Sequence, residues 1–132
     1  VLFRSPVMFP ASSPNTLAVG AVDLLKRRAN FSAYGPELDL MAPGVEVLAA
    51  GPSGNYRFVS GTSLASPIVA GVVALYMSKY ASERKAWPSP DQVYQCLINT
   101  AEDLGPSGWD PEYGFGLVRA DRAMTDTTYC FP

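Results

Sequence analysis

Ser60-Gly61-Thr62-Ser63-Leu64-Ala65-Ser66-Pro67-Ile68-Val69-Ala70-Gly71-Val72-Val73-Ala74-Leu75-Tyr76-Met77 is the stretch on which the fold turns. It begins small and polar, then runs from Ile68 to Met77 with residues that are apolar or small on every face. That pattern predicts a helix buried all round, entered through a sharp junction at Gly61. Pro67 falls near its start, where the first-turn amides have no acceptor inside the helix to lose. Gly71 costs about 1 kcal/mol relative to alanine in a helix, so close packing against a neighbour is its expected purpose. Ser78, Lys79, Ser82, Glu83, Arg84 and Lys85 mark the exit into solvent. The run from Ile68 to Met77 is too short to span a bilayer, and no membrane partner is expected.

A serine at the head of such a helix has two readings. It can cap the helix, as serines commonly do. It can also present a hydroxyl to a crevice where unpaired amides and the helix dipole favour developing negative charge, the environment an acyl-transfer oxyanion needs. Gly61 would let a substrate backbone approach closely. Spacing alone leaves both open.

Outward from this stretch, the signals alternate. Leu17 to Val22 reads as a buried strand, and Asn30 to Gly35 as a loop. Leu38 to Met41 reads as a strand stopped by Ala42-Pro43-Gly44. Val45, Val47 and Leu48 suggest another strand, closed by Gly51-Pro52-Ser53-Gly54, and Tyr56 to Ser60 a further one. After the long helix, Ser89, Pro90 and Gln92 form a helix start with a capping box, and Val93, Cys96, Leu97 and Thr100 share one face. Gly105-Pro106-Ser107-Gly108 makes a loop, Tyr113 to Val118 a glycine-rich strand or turn, and Arg119 to Met124 a last short helix. Strands followed by helices indicate an α/β architecture.

Composition narrows the function classes. The apolar fraction of 48% is that of a core-forming chain. Ten basic and twelve acidic residues give a net charge of −2 and no field for nucleic acid. The one basic run, Lys26-Arg27-Arg28, is expected to be a solvated turn. There is no histidine, so chemistry that requires an imidazole must draw it from outside these residues. Two cysteines make neither a disulfide framework nor a zinc site. Cys96 and Cys130 could pair, tying the tail to a helix; the reading leans instead to a buried helix residue and an unpaired tail thiol. The chain opens on Val1 without a signal-peptide pattern, and its natural N-terminus is expected to lie upstream.

Gly61-Thr62-Ser63-Leu64-Ala65-Ser66-Pro67 resembles the nucleophile signature of the subtilases, the subtilisin-like serine peptidases. Further segments follow in family order: Phe9-Pro10 with Ala18 to Asp23, Phe31-Ser32 with Tyr34-Gly35-Pro36, Leu38 to Gly44, and Tyr113-Gly114-Phe115-Gly116-Leu117-Val118. The resemblance covers about Phe9 to Met124. It implies part of a subtilisin-like parallel-sheet domain whose buried central helix starts at the nucleophile. Residues 9–124 are then the C-terminal part of a catalytic domain, 1–8 an N-terminal junction and 125–132 a tail.

By the same resemblance Ser63 attacks the scissile carbonyl and its amide serves the oxyanion; Thr62 either supports it with a hydroxyl contact or only packs at the junction. The triad Asp and His and the oxyanion-hole Asn fall upstream of these residues. Asp23 and Asp39 match no triad motif. The chain alone is therefore expected to be inactive, with a polypeptide substrate and the N-terminal part of the same domain as its partners. Met8 falls at the floor of the main specificity pocket and would favour small substrate side chains. Leu64 stands where many relatives have methionine, and Ile68 where histidine is frequent. No cofactor is required. A structural calcium or sodium ion would use the carbonyls of Ala11, Ser13 and Thr16 with the Asp39 carboxylate, although Asp39 simply capping a loop is the favoured role. Secretion is implied by the family. The competing expectation is a non-catalytic subtilase-like binding or structural module.

Overall fold

Two short strands, β1 (Val19–Val22) and β2 (Leu40–Pro43), pair in parallel with Val19 opposite Leu40 and Ala21 opposite Ala42. The structure is a computed structural model and describes residues 5–132; Val1 to Arg4, half of the expected junction, lie outside the described residues. Ser5 to Val7 belong to the fold, since the Val7 amide donates to the Tyr34 carbonyl and the Tyr34 amide to that of Ser5, both at 3.2 Å. The other edge of β2 is taken by the glycine-rich segment. The Met41 amide donates to Gly116 at 2.8 Å, and the Val118 amide donates to Met41 at 2.9 Å. β2 runs on through Pro43, where a turn was expected. The amides of Leu40 and Gly44 point to β1, so the missing proline N–H falls on the opposite side and breaks no rung of the ladder.

β3 (Val47–Ala50) and β4 (Tyr56–Val59) form an antiparallel hairpin around the expected Gly51-to-Gly54 turn. Leu48 faces Phe58 and Ala50 faces Tyr56 across it, and the outer side of this ribbon is exposed.

α1 spans Thr62–Arg84, α2 Pro90–Thr100 and α3 Ala120–Thr125. α1 packs on β1 and β2 through Ala65, Val69, Val72 and Tyr76, a stripe at helical spacing. The expectation of burial all round is not met: Ala70, Gly71 and Ala74 are exposed and Leu75 is 57% exposed. No element among the described residues covers that side. Nor does Gly71 permit close packing here, because a Cβ at that position would meet open space. The helix is also longer than the apolar run suggested. By length and composition its 23 residues would suffice to cross a bilayer; the buried stripe makes it the core helix of this fold. α2 starts as read: Ser89 Oγ accepts the Gln92 amide at 3.2 Å, and Gln92 Oε1 accepts the Ser89 amide at 2.8 Å.

One expectation is corrected. Cys96 and Cys130, both fully buried, form a disulfide, which anchors the tail at Cys130 to α2. Short spacing rules could not see this, because the partners are 34 residues apart. The basic run lies in a turn with Lys26 and Arg27 exposed, as expected, and its side chains find partners at the surface. Lys26 pairs with Glu102, Arg27 with Asp23 at 2.8 Å, and Arg28 donates to the Ser32 carbonyl at 2.7 Å.

Gly116 has φ 108°, and a Cβ there would stand 2.1 Å from the Glu102 carbonyl oxygen. Both strain and collision fall on backbone that cannot move aside. Gly116→Ala is expected to cost roughly 2 to 4 kcal/mol, read as a lowered denaturation midpoint of the full-length protein.

Candidate active site

β4 leads straight into α1 through Ser60 and Gly61, and local hydrogen bonds fix the junction. Ser60 Oγ accepts the Glu46 amide at 2.9 Å, the Gly61 amide donates to Gly44 at 2.8 Å, and the Leu64 amide donates back to Gly61 at 3.0 Å. Gly44 must lack a side chain. A Cβ there would lie 2.6 Å from that of Ala21 and 2.9 Å from the Gly61 carbonyl oxygen.

Gly61 is the N-cap of α1 and no side chain caps the helix. Ser63 therefore lies inside the first turn, and the simple capping role for it fails. Its side chain is exposed on an open cleft of about 520 Å³. Ala11, Leu17 and Val19 line one side of this cleft, and Thr62, Ser63 and Pro67 the other. The unpaired first-turn amides and the positive end of the dipole sit at the same place, with no acidic residue in that turn. Among the described residues the hydroxyls of Thr62 and Ser63 have no hydrogen-bond partner. Such a site can stabilise an anion beside an accessible hydroxyl, but holds no base to deprotonate it.

The carboxylates are engaged elsewhere. Asp23 accepts the amides of Arg27 and Leu25 and the Arg27 guanidinium, and these hold its carboxyl below the ordinary range. Asp39 accepts the Ala18 amide at 2.7 Å and the Tyr94 hydroxyl at 2.9 Å. It thus braces the loop entering β2 against α2. Thr16 offers its hydroxyl rather than only its carbonyl: Oγ1 lies 2.7 Å from the Ser13 carbonyl oxygen, 3.0 Å from that of Ala11 and 3.2 Å from that of Pro10. Met8 is 70% exposed and is not among the residues lining the cleft. The sequence reading missed Tyr94 and the Pro10 carbonyl. Tyr94 lies just off the apolar stripe of α2, and a carbonyl leaves no mark in a sequence.

A family model described as the subtilase family matches residues 4–116, a span that contains the Ser63 junction, Asp39 and the glycine-rich segment. The chain belongs to the subtilase family. Subtilisin DY of Bacillus licheniformis is 44% identical over 120 residues, which cover 91% of this chain and 41% of that protein. Subtilisin E of Bacillus subtilis (strain 168) is 44% identical over 119 residues, 90% of this chain and 29% of that protein. A solved structure described as a lanthipeptide protease superposes with a TM-score of 0.83 at 32% identity, covering 88% of this chain and 42% of that one. This subtilase chain thus spans well under half the length of these relatives, and its α/β arrangement is that of the subtilisin-like fold.

Burial pushes the Tyr94 hydroxyl up to about 12, helped by its hydrogen bond to the Asp39 carboxylate. A raised pKa means that the fold favours the neutral phenol. The contribution is complete below pH 10, the unfolded value, and is lost as pH rises through about 12. Tyr94→Phe is expected to cost about 1 kcal/mol at pH 8. In denaturation curves at stepped pH, its gap from the parent protein should begin to narrow above about pH 10.

Proposed function

We propose that Ser63 is the acyl-enzyme nucleophile of a serine endopeptidase, and that this chain forms the C-terminal part of the catalytic domain. The observation that carries this reading is the accessible Ser63 hydroxyl at the uncapped head of α1, opening on a cleft. In this mechanism Ser63 Oγ attacks the scissile carbonyl of a polypeptide and passes its proton to an imidazole. The developing oxyanion is stabilised by the Ser63 amide and the helix dipole. The imidazole, its aspartate and a further oxyanion donor come from the part of the domain that precedes these residues. Two features support that division: this chain has no histidine, and the outer side of α1 is apolar and uncovered. Without its base a triad serine loses roughly four to six powers of ten in rate, so the chain alone is inactive in this reading. Thr62 lines the cleft beside Ser63 and supports the junction. Met8, exposed near the start of the cleft-lining segment, bears on substrate preference once the remaining walls are present.

The fully buried disulfide agrees with a secreted or extracytoplasmic protein, since such bonds persist in oxidising compartments. The calcium or sodium site is also part of the proposal, in altered form. The carbonyls of Pro10 and Ser13 accept the Ser13 and Thr16 amides at 3.0 and 3.1 Å, which leaves each a second lone pair; these and the Ala11 carbonyl, with the Thr16 hydroxyl beside them, are the oxygen donors a hard cation takes. Asp39 has both oxygens committed to the fold and braces the site instead.

In the full-length protein a fluorophosphonate probe should label Ser63, and Ser63→Ala should abolish labelling and lower kcat by about 10⁴-fold or more. A folded full-length protein that resists the probe would favour the non-catalytic binding module. For the cation, added calcium or sodium should raise the melting temperature of the parent protein more than that of Thr16→Val; equal shifts in the two would remove these residues from the site.

A further inference from the structure

We propose that residues 126–132 are a disulfide-locked clasp that closes the back of α1 and governs how long the folded domain survives, making its endurance depend on oxidising surroundings. The segment lies beyond residue 116, where the family match stops, so the subtilase pattern does not account for it. Four kinds of contact hold it. The covalent one joins Cys130 to Cys96 on α2, with both residues fully buried. An aromatic one sets Phe131, 8% exposed, edge-on to Tyr76 at 5.5 Å and stacked on Tyr80 at 6.1 Å, with Lys79 of α1 4.2 Å above its ring. Hydrogen bonds run from α1 to the clasp backbone. The fully buried Tyr76 hydroxyl donates to the Cys130 carbonyl at 3.0 Å, and Arg84 Nη2 donates to the carbonyls of Phe131 at 2.9 Å and Pro132 at 2.5 Å. Finally, the Asp126 carboxylate gathers the amides of Tyr129, Thr128 and Cys130 at 2.6, 3.0 and 3.1 Å, which folds the segment back.

These contacts act on one place. Tyr76 ends the buried stripe of α1, and the clasp is the wall that covers it. Lifting the clasp exposes the rings of Tyr76 and Tyr80 together with the Cys96 side of α2, a large apolar loss for one short segment. The bond restrains the segment in the denatured chain as well as in the native one. Reduction by a dithiol proceeds through a mixed disulfide and leaves thiols on Cys96 and Cys130 and a cyclic disulfide on the reductant. Because neither residue is exposed, a thiolate reaches sulfur only when the segment opens. The rate of reduction under native conditions therefore reports clasp opening.

The test uses the full-length protein and needs no catalytic readout, so it stands or falls separately from the nucleophile assignment. Thiol titration of the oxidised protein should find Cys96 and Cys130 blocked, and native reduction by dithiothreitol should be slow. Phe131→Ala should accelerate that reduction at least tenfold, and Arg84→Ala should do so to a smaller extent. Cys96→Ser/Cys130→Ser should melt several degrees below the parent protein and ignore dithiothreitol, which lowers the parent's melting temperature to match. Free Cys96 and Cys130 thiols in the oxidised protein, a reduction rate indifferent to Phe131→Ala, or a double variant that melts with the parent would each overturn the proposal.

Discussion

Helix α1 begins where it does because three small residues let its first turn rest on the sheet. Gly44 leaves no Cβ between Ala21 and the Gly61 carbonyl, and Ala65 fills the space below. Interiors pack too densely to absorb an extra methyl group at such a crossing. From that contact the helix sets off with no side chain capping it at Gly61, and Ser63 is held on a rigid element at the rim of an open cleft. A serine placed two residues earlier, at Gly61, would have been a cap. Inside the turn its hydroxyl is free of that role and opens on the cleft.

The chain is charged, yet its charges are spent near where they stand. Glu102 holds Lys26 and Arg119, and these cations keep its carboxyl below the usual range. Arg119 also reaches Asp121, whose carboxyl it pulls down to about 2. This network, mostly at the surface, orients the segment between α2 and α3 more than it stabilises the molecule. What it leaves behind is a cleft free of local charge except for the helix end. Around Ser63 the local electrostatics therefore rest on the backbone amides at the head of α1.

Much of this was legible in residue order. The capping box at Ser89 and Gln92 appears in the structure atom for atom, because both halves of it are local. The strand after Ala18 and the glycine-rich closure at Tyr113 to Val118 were readable for the same reason. Burial of α1 was overread: an apolar run states that a surface avoids water, not that the same chain supplies its cover. Leu75 and Ala74 show the difference. Tyr94 was missed and the Cys96–Cys130 bond left open because each depends on a partner far away in sequence, 55 residues for Asp39 and 34 for Cys130. The Ser63 motif was visible, but its geometry was not; only the position of the cap separated a capping serine from one whose hydroxyl opens on a cleft.

The β3–β4 hairpin carries a consequence of its own. Its outer side shows Leu48, Tyr56 and Phe58 at 57%, 75% and 71% exposure, on a two-stranded ribbon with unpaired edges. Such a surface invites pairing with any extended strand that drifts past. The brevity of its four-residue strands limits that risk, because few rungs can form with an incoming chain.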